Sequence, residues 1–294
     1  MKKIILDASA SVDNVLGIMY ALKNLDVKAL LLKDDEEYHS VFVQNLAVIN
    51  EKTPITAKIA WGSRKPLIKA NRMLPNYMQV VLSGAQKQIM QFEENLAWDV
   101  LYDTAKSEGK ITLVTLSTLT NIAIALFKYE DLKDYIEEIV IMGGSTDEGN
   151  VAAYSEANFA ADAYAAAAVI NSGIPLRIIG LNVARQSVIH QTEMELNGFQ
   201  KEIITEMSMN SILYPYDNSV VCQDVLTLIS ADHPEILTWK RNAVSVEYQS
   251  DITLGRLNVD IRRHCDDKEN AELAVGVDMV SYAKYLKNYL NSIT

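Results

Sequence analysis

The sequence predicts an α/β protein with a mostly parallel central sheet flanked by helices, and three observations predict it. Short apolar runs rich in β-branched residues alternate with stretches of helical period along most of the 294 residues. Alternation of that kind calls for parallel strands joined by crossover helices that cover both faces. The first unit, residues 3 to 22, shows it most clearly: an apolar run with Ile4 and Ile5 ends at Asp7, and after a small-residue turn Val15, Ile18, Met19 and Leu22 follow at helical spacing. No linker rich in Pro, Gly or Ser and no internal repeat interrupts the chain, so a single domain over 1–294 is the economical reading.

The remaining elements follow in order. VKALLL (27 to 32) reads as a second strand, the acidic run Asp34 to Glu37 as a loop or solvated helix start, and Val41 to Asn50 as a helix. ITAKIAWGS (55 to 63) is strand into turn, and residues 71 to 91 are an excursion of weak pattern with some helix. Leu96, Val100, Leu101 and Ala105 form the stripe of a helix stopped at Gly109, and ITLVTL (111 to 116) is the next strand. STLTN caps the helix IAIALF, and EEIVIMGGS (137 to 145) is a strand ending in paired glycines that allow close backbone approach. Residues 155 to 172 read as one alanine-rich helix and 175 to 184 as one strand. One or two amphipathic helices follow over 186 to 213, with another starting at 221 to 229 and carrying Asp224 near its first turn. Strand-like runs lie at 244 to 248 and 271 to 278, before a last helix from Val280 to about Leu290.

Charge and composition narrow the function. A net charge of -11, with Arg262, Arg263 and His264 as the longest basic patch, argues against nucleic-acid partners. No window is apolar enough for a membrane span, and the start MKKIILDAS is too short for a signal-peptide core. The two cysteines, Cys222 and Cys265, make neither a disulfide framework nor a zinc site, so a soluble cytoplasmic protein acting on small molecules is the simplest expectation. Open parallel sheets bind ligands outside the carboxyl ends of their strands, which makes Asp7, Ser9, Ser11, Asp13 and Asn14 candidate site residues. The alternative is that Asp13 caps the helix and Asp7 satisfies turn backbone.

Several separated stretches resemble one family. The family's amino-terminal DxDxxxDD lines up with Asp7, Ser9, Asp13 and Asn14; LVTLSTLTNIAIAL (113 to 126), EEIVIMGGS, the segment from Gly149 to Val183, VCQDVL (221 to 226) and ITLGRLNVD (252 to 260) match further motifs in order. The chain thus resembles the inosine-uridine preferring nucleoside hydrolases, with their Rossmann-like core, over essentially its whole length. The resemblance implies hydrolysis of the N-glycosidic bond of ribonucleosides to base and ribose, a calcium ion, and a homodimer or homotetramer. It places metal ligands at Ser9, Asn14, the carbonyl of Leu116 and Asp224, with Asp7 near enough to swing in, ribose contacts at Asp13, Glu156 and Asn158, and catalysis at Ser9 and Asp13. It also sets Glu36 at a ribose-contacting position, Trp61 at a strand-end turn, and Tyr214 and Tyr216 over the nucleobase, whereas the four histidines fall on no motif.

Departures from the pattern fall on the chemistry. Ser9 stands where the family has its general base and Asn14 where it has a second metal-binding acid, so one carboxylate of three remains for calcium. Calcium affinity follows carboxylate count, and loss of a positioned base costs about 10²- to 10⁴-fold in rate. Gln223 replaces the histidine of the family's His-Asp pair, and no HGxxGL-like loop occurs between 71 and 85. The sequence therefore carries two expectations: a nucleosidase with a degenerate metal site, or a non-catalytic relative that binds a nucleoside, ribose or a protein partner.

Overall fold

A computed structural model of the chain describes residues 1–68, 80–83, 90–190, 196, 198–209, 219–262 and 268–293. Most of the excursion over 71 to 91, Tyr214, Tyr216, Arg263, His264 and Cys265 lie outside the described residues.

Six parallel strands form the body of the sheet: β1 (Lys3–Ala8), β2 (Asp26–Leu32), β3 (Lys58–Trp61), β4 (Ile111–Thr115), β5 (Ile136–Met142) and β6 (Leu176–Ile179). A short antiparallel ribbon pairs β7 (Val188–His190) with β8 (Ser219–Val221). β9 (Leu237–Asn242) is the far edge of the main sheet, and β10 (Val244–Val246) pairs with β11 (Leu257–Val259) outside it. β12 (Ala271–Val277) closes the sheet, parallel to β6 and antiparallel to β9, giving the order β3-β2-β1-β4-β5-β6-β12-β9. The mostly parallel α/β architecture is as the sequence predicts.

Helices cover both faces. α1 (Val12–Asn24), α2 (His39–Lys52), α8 (Gly198–Met209), α9 (Gln223–Asp232) and α10 (Met279–Asn291) pack with Ile4, Leu6 and Ala8 in one core. The opposite core takes Ile5 with α3 (Ala97–Glu108), α4 (Thr120–Lys128) and α6 (Ala163–Ile170). Alternation along β1 sends Ile5 and Asp7 to this second face, which decides where the Asp7 carboxyl can reach. Two short helices, α5 (Ala157–Ala161) and α7 (Leu181–Ala184), are the remaining α-helices among the described residues.

Three local expectations are corrected. The run 155 to 172 is two helices, because Asp162 leaves helical geometry (φ −148°, ψ 77°) and turns its carboxyl to Ala165 N, Thr120 Oγ1 and Leu67 N. The run 175 to 184 is a four-residue strand followed by α7, since the Leu181 N–H turns to Gly144 O at 3.0 Å. Val221 belongs to β8, so α9 begins only at Gln223.

Gly62, just past β3, marks a close approach that fixes this end of the sheet. A Cβ there would lie 2.1 Å from Asn121 Oδ1, the atom that accepts the Ser63 N–H at 2.8 Å. Gly62→Ala is expected to lower unfolding free energy by about 2 kcal/mol in urea titration, because Asn121 must give up this contact. An unchanged midpoint would show that Asn121 is free to turn away.

Candidate functional site

Strand order reverses around β1: β2 and β3 lie on one side, β4 and the later strands on the other. The crevice outside the carboxyl ends of β1 and β4 is the topological switch point, where ligands of such sheets bind. The loop Ser9 to Ser11 emerges there. Ala10 sits at φ 51°, a left-handed conformation costing about 1 kcal/mol for a non-glycine residue, and Asn45 of α2 holds its carbonyl at 3.0 Å.

Four of the sequence-predicted residues converge in one network. Asn14 Oδ1 accepts both the Ser9 N–H and the Ser9 hydroxyl at 2.7 Å, and the Ser9 and Ser11 hydroxyls lie 3.0 Å apart. Asn14 Nδ2 donates to Asp224 Oδ2 at 2.6 Å, joining residues 210 apart in sequence. Gly17, one turn along α1 from Asn14, permits that approach, since a Cβ on it would meet Asp224 Cβ at 3.0 Å. The Leu116 carbonyl accepts Asn158 Nδ2 at 3.3 Å, and Asn158 also donates to Met142 O at 3.1 Å.

Glu156 is buried and ties two loops together. Its carboxylate accepts Asn158 N at 2.8 Å and Phe159 N at 3.2 Å as the N-cap of α5, and Gly144 N at 2.9 Å from the end of β5. The paired glycines thus make the close backbone approach their sequence suggests, and the donor they supply is the Gly144 N–H.

Asp13 behaves differently. The N-cap position of α1 is Ser11, so the capping alternative fails for Asp13. Its carboxylate is only partly buried and makes no hydrogen bond among the described residues.

Burial dominates the electrostatics. It pushes Asp13 from 3.8 up to about 7, and Glu156 from 4.5 up to about 7 against the pull of its three backbone donors. Asp224 is raised well above the usual carboxylate range by burial and by the neighbouring charges of Asp13 and Glu156, with Asn14 opposing. Asp7 is raised by burial, with Asn121 opposing.

The structure separates Asp7 from this cluster. Its Oδ1 faces Asn121 Nδ2 of α4 at 3.4 Å, and Oδ2 is buried without a hydrogen-bond partner among the described residues. The carboxyl that the resemblance sets near the metal position thus points, in this structure, to the opposite face of β1. Asn121, read from sequence only as part of a helix cap, instead links Asp7 to the β3 loop.

The acidic run also departs from a purely solvated stretch. Asp34 is buried and pairs with Arg64 at 2.6 Å and His39 at 2.8 Å; burial pushes its pKa up, but these two partners outweigh it and the net direction is down. His39 in turn packs against Trp61 with ring centroids 4.3 Å apart and the planes tilted by 35°, a packing role for both rings, while Glu36 is exposed.

Calcium asks for six to eight hard oxygens with carboxylates among them. At the positions the resemblance assigns to metal, the Asn14 oxygen is committed to Ser9, an amide N–H points at Asp224, and the Leu116 carbonyl holds Asn158. Among the described residues no three His, Cys, Asp or Glu side chains group to hold a metal ion. This donor set does not fit calcium.

Comparison with known proteins agrees with the architecture. The Non-specific ribonucleoside hydrolase RihC of Escherichia coli O7:K1 is 34% identical over 190 residues, a match covering 61% of this chain and 60% of that relative's length. The solved structure of the Purine-Preferring Ribonucleoside Hydrolase from Gardnerella vaginalis superposes with a TM-score of 0.87 at 26% identity, covering 98% of each chain. A plant nucleoside hydrolase, PpNRh1, reaches 0.86 at 22% identity over 99% of each, a likeness of fold alone. The family model described as Inosine-uridine preferring nucleoside hydrolase matches residues 4–284, and the chain belongs to that family.

Proposed function

We propose that this chain binds ribonucleosides at the switch-point crevice, with Asp13, Glu156 and Asn158 as the ribose-binding set, and that it cleaves their N-glycosidic bond only slowly. The observation that carries this reading is the carboxylate of Asp13, which has no hydrogen-bond partner among the described residues and stands beside Asn14 and Asp224, whose polar groups are engaged with each other and with Ser9. A carboxylate in that position is suited to accept ribose hydroxyl protons as hydrogen bonds. The family and the RihC relative supply the substrate class.

Slow turnover follows from the groups available. The Ser9 hydroxyl donates to Asn14 and cannot act as a base near neutral pH. Asp13, raised to about 7, is the candidate base that remains, and it is also the ribose contact. Attack by water on the ribosyl carbon, departure of the base and proton transfer to it must then proceed without Lewis-acid help, a loss of about 10⁴-fold or more. We further assign the chain, on family resemblance, to a homodimer or homotetramer and, on its composition and charge, to a single domain in the cytoplasm with no nucleic-acid or membrane partner.

Calorimetric titration with inosine and uridine tests the binding. Submillimolar association that weakens at least tenfold in Asp13→Asn is expected, with hydrolysis in the same samples at trace rates. Absence of association would overturn the binding assignment, and rapid turnover would overturn the slow-hydrolysis assignment.

A further inference from the structure

We infer that the Asn14 amide takes over the structural work of a cation at this site, so that the fold is complete without metal and the amide N–H stands where an ion would have to bind. The site is the one proposed for nucleoside binding, but the role of the amide needs no nucleoside. The Ser9 backbone N–H is a fixed donor 2.7 Å from the Asn14 side chain. Only the amide oxygen can meet it, and that oxygen also takes the Ser9 hydroxyl. Oδ1 is thereby locked toward Ser9, and Nδ2 has to face the other way.

What Nδ2 faces is Asp224, 4% exposed, at 2.6 Å. The Asn14 N–H thus supplies a hydrogen bond to this buried carboxyl, which it can do only in this orientation. Turning the amide over would set its N–H against the Ser9 N–H and its oxygen against the Asp224 oxygen. The orientation therefore follows from the chemistry of both neighbours.

An aspartate at 14 would have nearly the same shape and a different consequence. One of its oxygens would still accept from Ser9, but the other would stand in contact with the Asp224 carboxylate. Two carboxylate oxygens at that separation require a proton or a cation between them. The exchange of NH₂ for O at a single position thus separates a site satisfied by the protein itself from one that needs an ion. The Asn158 amide on the Leu116 carbonyl acts in the same sense, engaging a further oxygen assigned to the ion.

Thermal melts in chelator and in millimolar calcium test this without any nucleoside. The wild-type chain is expected to melt at the same temperature in both, within about 1 °C, and to show no submillimolar calcium binding by calorimetry. Asn14→Asp is expected to melt about 5 °C lower in chelator at about pH 8, and to regain at least half of that loss with calcium. Asp224→Asn added to Asn14→Asp should abolish the calcium response, which ties it to this pair.

A calcium-dependent rise in the wild-type melting temperature would overturn the inference. So would an Asn14→Asp chain that melts like the wild type in chelator, or one destabilised equally with and without calcium. If Asn14→Asp is insoluble in chelator, solubility restored by calcium supports the inference and insolubility in both overturns it. Loss of nucleoside binding in the wild type leaves every one of these readings intact, so the two proposals fail separately.

Discussion

Glu156→Ala should cost about 3–6 kcal/mol in unfolding free energy, a large fraction of a typical domain's total stability. The carboxylate is 1% exposed and is the acceptor for three backbone donors, the N–H groups of Gly144, Asn158 and Phe159. Each buried N–H left without a partner costs about 1–3 kcal/mol, and alanine at a helix N-cap removes a further stabilising contact. The three donors come from two segments, the end of β5 and the start of α5, so truncation also frees the loop that positions Asn158. Glu156→Gln keeps one oxygen and should recover about half of the loss, although its amide then opposes one of the N–H groups. Urea unfolding of the three chains checks this, and a loss below about 1 kcal/mol for alanine would show that water replaces the carboxylate freely.

Much of the architecture was legible because the parallel strands are buried on both faces and read as unbroken apolar runs. β1, with every residue from Ile4 to Ala8 buried, is the clearest case. β9 was not legible for the opposite reason. It is the antiparallel edge strand, LTWKRN, whose exposed Lys240 and Arg241 protect the edge and hide the period. The break in the alanine-rich run was invisible because nothing in its composition breaks a helix; the cause is tertiary, in the bonds Asp162 makes to Thr120 and Leu67. The turn after β6 was hidden in LNVA, which has the composition of a strand and becomes α7 because Leu181 N finds the Gly144 carbonyl.

The candidate site divides along the same line. That Ser9, Asp13 and Asn14 lie at a strand's carboxyl end follows from local pattern, and the structure puts them there. That Asp224 joins them over 210 residues required the resemblance to the family. What neither local pattern nor resemblance supplied was direction: which end of the Asn14 amide faces Ser9, and that the Asp7 carboxyl leaves β1 on the far face toward Asn121. Those facts depend on donors and acceptors in three dimensions, and they decide the chemistry.

Melting temperature should rise as pH is lowered from about 8 to about 5.5, the reverse of what paired surface carboxylates produce. Glu156 and Asp13 are raised to about 7 by burial, and Asp7 and Asp224 are raised well above the usual range. A carboxyl raised in the folded state holds a proton that the unfolded chain has released. Its contribution is complete below the unfolded value and is lost as pH climbs through the folded one, so between about pH 4 and 7 stability falls with rising pH. At about 1.4 kcal/mol per unit, Glu156 alone contributes roughly 3 kcal/mol across this window, and Asp13 a smaller amount because it is partly exposed. Opposing them at lower pH are Glu138, where burial is outweighed by Arg177 and Lys2, and Asp34, where it is outweighed by Arg64 and His39. Their lowered values remove stability only as pH falls below about 4, which puts the maximum near about pH 4. Differential scanning calorimetry of the wild type and Asp13→Asn over this range reads the slope directly. The variant should show a shallower dependence, and a wild-type melting temperature that stays flat or climbs toward pH 8 would mean that solvent or a bound ion compensates these carboxyls in solution.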